Sequence, residues 1–408
     1  MVSATASHYL AINAGSSSIK FALYRDAPEL SPVFHGSIDG IGGAQACFSV
    51  HGEPGDTLTR RFPIPEQVTA VHVLLDWLGE RVAPATLRAI AHRVVHGCAE
   101  YTSTTEISDA MLGVLYAGVR SEPQHLPQEI HLIDTLRRRY PAATHIACFD
   151  SSFHTHMPAV ASTLAIPHRF AAAGIRRFGY HGLACAWMMR ELARVGGVAV
   201  ADSKVVLAQL GGGASITAVQ HGVSCDTTMG LTPAGGIPMG KRSGDIDPGF
   251  AWHCLRQQQM TPAQFNHMLN HESGLLGVSG RSADLRVLLE HQARDSRCAA
   301  AVELFVYQTR KAICAMAGAI DGIDTLVFAG GIGENSAEVR LRICAQLGHL
   351  GIIVDPERNS AHQALISSDA SRVKVRVMNT DEQWILADQA RLLLAARSPN
   401  TLEGAPHE

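Results

Sequence analysis

The segment His8–Tyr24 reads HYLAINAGSSSIKFALY, and Val205–Gln220, about half a chain later, reads VVLAQLGGGASITAVQ. Each places a glycine- and serine-rich turn between two apolar runs rich in β-branched residues. That pattern predicts strand, tight turn, strand. Aligned without gaps, AINAGSSSIK meets AQLGGGASIT. One such turn constrains little. Two of them in a chain of 408 residues point to an internal duplication, two similar domains facing each other. The length agrees, since roughly 150 residues per domain gives two or three domains.

Helical patterns lie between and after the turns. Glu66–Val82 carries Val68, Val71, Leu74, Leu75, Leu78 and Val82 at helical spacing, with Pro65 at its start. Arg88–His96 and Thr144–Ser151 read as strands, the second ending in a polar loop. Ala299–Ile320 is a long apolar-rich helix that stops before Gly322, followed by a strand over Asp324–Ala329. Alternation of strands and helices makes this an α/β protein. The tail from Ser398 reads as frayed.

Composition removes several functional classes. Apolar residues make up 46% of the chain, which supports sizeable cores and excludes a disordered chain. A net charge of −3 argues against nucleic-acid binding through bulk charge. No apolar run approaches the ~18–20 residues that span a bilayer, so no membrane partner is expected. No Lys or Arg precedes the first apolar stretch, so the start does not read as a secretory signal. Nine cysteines stand singly with no C-x-x-C pair, which predicts reduced thiols in a cytoplasmic protein.

Three polar glycine turns each follow an apolar strand: Gly15–Ser18, Gly211–Gly213 and Gly330–Gly333. Glycine lets backbone N–H groups approach phosphate oxygens with no side chain in the way. None fits GxxxxGK[ST], which excludes a P-loop, and none fits GxGxxG at a strand–helix turn. The last, GGIGENS, runs into a helix-like SAEVRLRICAQL and reads as a nucleotide seat at a helix N-terminus. Thr227–Gly249 is a long glycine- and proline-rich loop whose apolar residues argue against disorder. It holds Arg242 between glycines, suited to bidentate contact with phosphate or carboxylate. His92 and His96 have metal-like i,i+4 spacing, but their segment reads as a strand and lacks the Glu of HExxH.

Eight motifs and a late TDE follow one another in a fixed order: INAGSSSIK, HRVVHG, FDSSFH, RRFGYHG, LGGGAS, MGKRSGDIDP, SGLLGVSG and GGIGENS. In these the chain resembles the acetate kinase family, nearly end to end. The resemblance implies two duplicated actin-like, ribonuclease H-like α/β domains around a nucleotide cleft. It implies a first domain of residues 1–150 with 385–408, the C-terminal helix returning to it. Residues 151–384 would form the nucleotide-side domain and the interface of a homodimer. The implied reaction is reversible phosphoryl transfer from ATP to a short carboxylate, giving ADP and an acyl phosphate. Acetate is the leading acid, Mg²⁺ the expected metal and Mn²⁺ its substitute.

By the same resemblance, Arg93 would hold the carboxylate, while Arg242 and His181 stabilise the transferring phosphoryl group. Asp150 matches the family's active-site aspartate. A carboxylic acid is already ionised at pH 7, so Asp150 is expected to orient an arginine or a metal-bound water rather than remove a proton. Asn13 and Glu382 match the magnesium contacts, and Val95, Gln124, Tyr180 and Pro233 the acyl pocket with Arg93. Lys20, Gly211, Gly212, Gly213, Asp284, Leu285, Arg286, Gly331, Ile332, Gly333, Glu334 and Asn335 match nucleotide-binding positions.

Departures from the family fall at these places. Gln209 and Gly212 replace the His and Asn of H-L-G-N-G; Gln124 and Leu126 replace the Leu and Asn of A-P-L-H-N-P. Tyr180 stands for Phe, and Asp381 for Asn, beside the expected metal site. Unpaired polar groups at Gln124 and Tyr180 would disfavour a methyl group. The expectation is an acid with a polar substituent, or weakened acetate binding. Competing readings are a propionate or other short-acyl kinase, a pyrophosphate-dependent enzyme, and a non-catalytic nucleotide-binding regulator.

Overall fold

The computed structural model describes residues 7–15, 17–52, 57–119 and 125–397. Gln124 and the tail from Ser398 therefore lie outside the described residues, as does Ser16 of the first glycine turn. The chain divides into two compact units, Met1–Ser152 with Asp381–Glu408, and Phe153–Thr380.

The first unit is built on one sheet. Its strands are β1 His8–Ala14, β2 Ser18–Arg25, β3 Ser31–Asp39, β4 Ala46–Gly52, β5 Thr57–Phe62, β6 Leu87–Val94, β7 Thr105–Glu106 and β8 Thr144–Phe149. Their order is β5-β4-β3-β2-β1-β6-β8-β7. Strands β1 to β5 form an antiparallel meander, and β1, β6 and β8 run parallel. Parallel strands need cover on both faces. Leu10, Ile12 and Ala14 of β1 enter a core with Leu74, Trp77 and Leu78 of helix Gln67–Gly79 and Leu132 and Leu136 of helix Leu126–Arg139. Side chains alternate along a strand, so Ala11 and Asn13 face the other way. Helix Glu382–Arg397 packs against β1 and β6.

Strands β9 Lys204–Leu210, β10 Ala214–Gln220, β11 Val223–Thr227, β12 Thr325–Ala329 and β13 Lys374–Val377 form the sheet of the second unit. Their order is β11-β10-β9-β12-β13. Strand β9 is antiparallel to β10 and parallel to β12, and β12 is parallel to β13. That repeats the order and directions of β3-β2-β1-β6-β8, so the duplication expected from the two glycine turns is present. Helix Gly182–Gly196 packs Ala184, Cys185 and Met188 onto Val205, Leu207, Val219 and Val327. Helix Ser296–Ala319 packs on β9, β10 and β11.

Three local expectations change. The gapless alignment of the turns fails: Asn13 faces Lys20, whereas Leu210 faces Ala214 across a tighter hairpin. Helix Gln67–Gly79 ends before Val82, whose N–H and that of Arg81 both close onto Leu78 O, just ahead of Pro84. GGIGEN is not a loop: Gly330–Asn335 is itself a short helix starting directly from β12, and helix Ala337–Cys344 follows after Ser336. All nine cysteines are free, as expected. Among the described residues no helix is long and apolar enough to cross a membrane.

Candidate active site

In the first unit, side chains converge at the carboxyl ends of the parallel strands, the usual ligand position in such sheets. Asn13 is near the end of β1, Arg93 near the end of β6, and Asp150 directly follows β8. Arg93 Nε donates to both oxygens of Asp150 at 3.0 Å, and Nη2 also bonds Oδ2. Arg93 Nη1 reaches Asn13 Oδ1 at 3.4 Å, and Asn13 Nδ2 donates to Glu382 Oε2 at 2.7 Å. The result is one chain of polar groups from Asp150 through Arg93 and Asn13 to Glu382.

Charge in this group is nearly buried, with Arg93 16% and Asp150 3% exposed at the side chain. Burial works to lower the Arg93 pKa, but the Asp150 carboxylate outweighs it and the guanidinium is held more firmly charged. Burial pushes the Glu382 carboxyl up, and Asp150 adds to this. Arg93, Lys20 and the Asn13 hydrogen bond oppose it. Lys20 is exposed on β2 and paired across the strands with Asn13, which places it beside this group.

Val95 is buried, and its N–H donates to Glu129 Oε2 at 3.0 Å. That bond takes Val95 out of the β6 ladder, which ends at Val94. Glu129 was not expected here. Its signal in the sequence is a carboxylate on the apolar stripe Leu126, Ile130, Ile133 of its helix, where it is 2% exposed. Asp381 accepts from Trp384 N at 2.8 Å and from the Tyr24 hydroxyl at 3.4 Å. It caps helix Glu382–Arg397, as Asp and Asn side chains commonly do at helix starts. His92 is no metal ligand: its Nε2 lies 3.0 Å from His145 Nδ1, and both rings are buried.

In the second unit, His181 stands in the left-handed region (φ 61°) at the start of helix Gly182–Gly196. Its Nδ1 lies 2.9 Å from Ser215 Oγ. A β-carbon placed on Gly213 would be 3.1 Å from His181 Nε2 and 3.7 Å from Arg242 Nη1, so both side chains converge beside that glycine. Arg242 Nη1 also reaches Pro233 O at 3.4 Å, and Pro233 is buried. The SGLL motif explains how the Arg242 loop is held. Leu275 N bonds Met239 O, Leu276 N bonds Gly240 O, and Gly274 (φ 61°) leaves no room for a β-carbon beside Met239 O.

Tyr180 is buried and its hydroxyl donates to Leu231 O at 2.7 Å. That corrects the pocket argument: the hydroxyl is already satisfied inside the protein and makes no demand for a polar acid.

A cavity of about 710 Å³ lies beside the glycine turn. Gly211, Gly212, Asp284, Leu285, Arg286, Gly331, Ile332 and Asn335 line it, joined by Ala283, Leu289 and Ser336, which the motifs did not single out. Apolar Leu285, Leu289 and Ile332 suit a flat base, and the open glycines suit phosphate oxygens. Asp284 caps helix Leu285–His291 and also binds Arg286, Nη2 to Oδ2 at 2.6 Å. The Arg286 hydrogen bond holds the Asp284 carboxyl below its usual range. Gly333 and Glu334 are not in the cavity wall. Gly333 is buried against Phe328, and Glu334 Oε1 accepts from Gly330 N at 3.0 Å.

The Acetokinase family profile matches residues 8–388. An acetate kinase of Rhodopseudomonas palustris (strain TIE-1) is 39% identical over 94% of this chain and 99% of its own. A propionate kinase of Citrobacter rodentium is 37% identical over 96% and 98%. The crystal structure of a propionate kinase from Francisella tularensis superposes with a TM-score of 0.86 at 32% identity, covering 94% of this chain and 98% of that one. Porphyromonas gingivalis acetate kinase gives 0.84 at 29% identity, covering 95% and 100%. The chain belongs to the acetokinase family.

Proposed function

We propose that this chain is a carboxylate kinase that moves the terminal phosphoryl group of ATP reversibly onto a short acid, acetate first and propionate second. The observation that carries the reading is the buried chain Asp150–Arg93–Asn13–Glu382, which holds one fixed cation among acidic and hard-oxygen groups. Phosphoryl transfer needs alignment and neutralisation of charge more than covalent chemistry.

Arg93 holds the carboxylate of the acid, and Asp150 fixes the plane of its guanidinium. Val95 and Pro233, each buried in its own unit, are the apolar residues that the resemblance matches to the methyl group. His181 and Arg242 donate to the oxygens of the phosphoryl group in flight. The Gly211–Gly213 turn presents backbone N–H groups to the phosphates, and the cavity lined by Leu285 and Ile332 takes the adenosine. Asn13 and Glu382 are hard oxygen donors of the kind Mg²⁺ takes, and the Glu382 carboxyl, raised by burial and by Asp150, gains from a cation. Mg²⁺ there neutralises phosphate charge. The first unit carries Arg93, Asp150, Asn13, Glu382 and Lys20, and the second carries His181, Arg242, Pro233 and the cavity residues. The homodimer and the cytoplasmic location are carried over from the resemblance.

The test is acyl-hydroxamate formation with Mg·ATP over acetate, propionate, butyrate, glycolate and lactate, with Arg242→Ala as the control. Product from acetate and propionate, lost in the variant, is expected. Folded protein that binds ATP and yields no product with any acid would return the chain to the non-catalytic regulator.

A further inference from the structure

Ser215 on β10 is completely buried, and its hydroxyl lies 2.9 Å from Nδ1 of His181. Among the described residues it has no other hydrogen-bond partner. A serine hydroxyl is both a donor and an acceptor. With one partner only, its hydrogen is satisfied solely by donation, and the available acceptor is the lone pair of Nδ1. His181 then carries its proton on Nε2.

That assignment matters because Nε2 is the working end of the ring. It is the atom beside Gly213, next to Arg242 Nη1. The opposite tautomer, or a doubly protonated ring, would turn Ser215 into an acceptor. Its hydrogen would then be buried with nothing to bond, which is unfavourable. Gln209 faces Ser215 across the β9–β10 ladder but does not take that hydrogen, since its buried Oε1 makes no hydrogen bond. The left-handed backbone of His181 fixes where the ring starts, and Ser215 fixes how it is turned.

We propose that Ser215 is a positioning residue that holds His181 as a neutral imidazole with its N–H on Nε2. Arg242 then supplies the charge, and His181 supplies one directed hydrogen bond to a phosphoryl oxygen. The kinetic part of the proposal rests on the kinase reading; the tautomer does not.

Long-range ¹H–¹⁵N correlation spectra of the ¹⁵N-labelled protein report the tautomer directly, with His181 identified by the signals lost in His181→Gln. The wild-type protein is expected to show the Nε2–H form near neutral pH. Ser215→Ala is expected to lose that single form and to lower kcat about tenfold to a hundredfold, the usual cost of a misplaced group. KM for ATP and for the acid should stay close to wild type. Ser215→Thr, which keeps the hydroxyl, should restore both the spectrum and kcat. An Nδ1–H or doubly protonated His181 in the wild type, or wild-type kcat in folded Ser215→Ala, overturns the proposal. If the wild type makes no acyl phosphate with any acid, the kinase reading fails instead. The wild-type spectrum alone then decides the role of Ser215.

Discussion

Asp150 holds Arg93 with both carboxylate oxygens, each 3.0 Å from the guanidinium Nε. An aspartate committed in this way acts through the arginine it aims. Asp150→Asn should lower kcat/KM for acetate about a hundredfold, with most of the loss in acetate KM. A steady-state comparison at saturating Mg·ATP checks this. Wild-type acetate KM with a collapsed kcat would instead make Asp150 a participant in the chemical step.

Arg93→Ala removes the cation and leaves Asp150 buried without its partner. Breaking a buried pair from one side costs about 3–5 kcal/mol. Urea denaturation should show a loss of that order, together with loss of activity. Arg93→Ala combined with Asp150→Ala should recover part of the stability and none of the turnover.

The buried histidines predict a pH dependence of stability. Burial lowers the pKa of both His92 and His145. The His145 ring adds to the effect on His92, and the Tyr140 carbonyl partly opposes it at His145. His145 Nε2 must donate to Tyr140 O, so His92 Nε2 donates to His145 Nδ1; a second proton would meet that donor on His145 and find no acceptor at the buried His92 Nδ1. The folded state therefore binds fewer protons than the unfolded state below the ordinary histidine pKa. Stability present above about pH 6.5 should fall as the pH drops, by up to about 1.4 kcal/mol per pH unit for each histidine. Denaturation midpoints between neutral pH and pH 5 measure it. His92→Gln should flatten the slope.

Two adjacent glycines should respond in opposite ways. Gly330 has φ 77°, and a β-carbon there would lie 2.6 Å from Leu210 O. Gly330→Ala should destabilise the protein by about 1–3 kcal/mol. Gly331 has open space at its β-carbon position and borders the cavity. Gly331→Val should leave the melting temperature nearly unchanged and raise KM for ATP about tenfold or more, since it occupies space the nucleotide needs. Unchanged ATP affinity in Gly331→Val would move the adenosine out of this cavity.

The duplication was legible because two glycine turns recur between apolar strands, and such local chemistry survives without tertiary context. The same locality misled at GGIGEN: glycine content reads as a turn, yet tertiary packing winds Gly330–Asn335 into a helix. Arg93, Asp150 and Glu382 could be named from motifs, but their mutual grip could not, since the ion pair joins residues 57 apart in sequence. Ser215 closes the LGGGAS motif, but nothing in that motif marked its role. A serine in an apolar strand becomes informative only when strand pairing and a neighbouring helix place one histidine nitrogen beside it. Tyr180 shows the converse: a polar residue that looks like a pocket determinant is spent on a backbone carbonyl.

The helix that covers β1 and β6 is synthesised long after the strands themselves. It begins at Glu382, while the strands it covers end at Ala14 and Val94. During translation the 228 residues of Phe153–Thr380 emerge in one stretch and can close their core on the ribosome. The first sheet must wait with one face bare until the C-terminal segment leaves the tunnel. Of the two units, the one begun earlier is therefore completed later, and its sheet is the stretch more exposed to chaperones or misassembly.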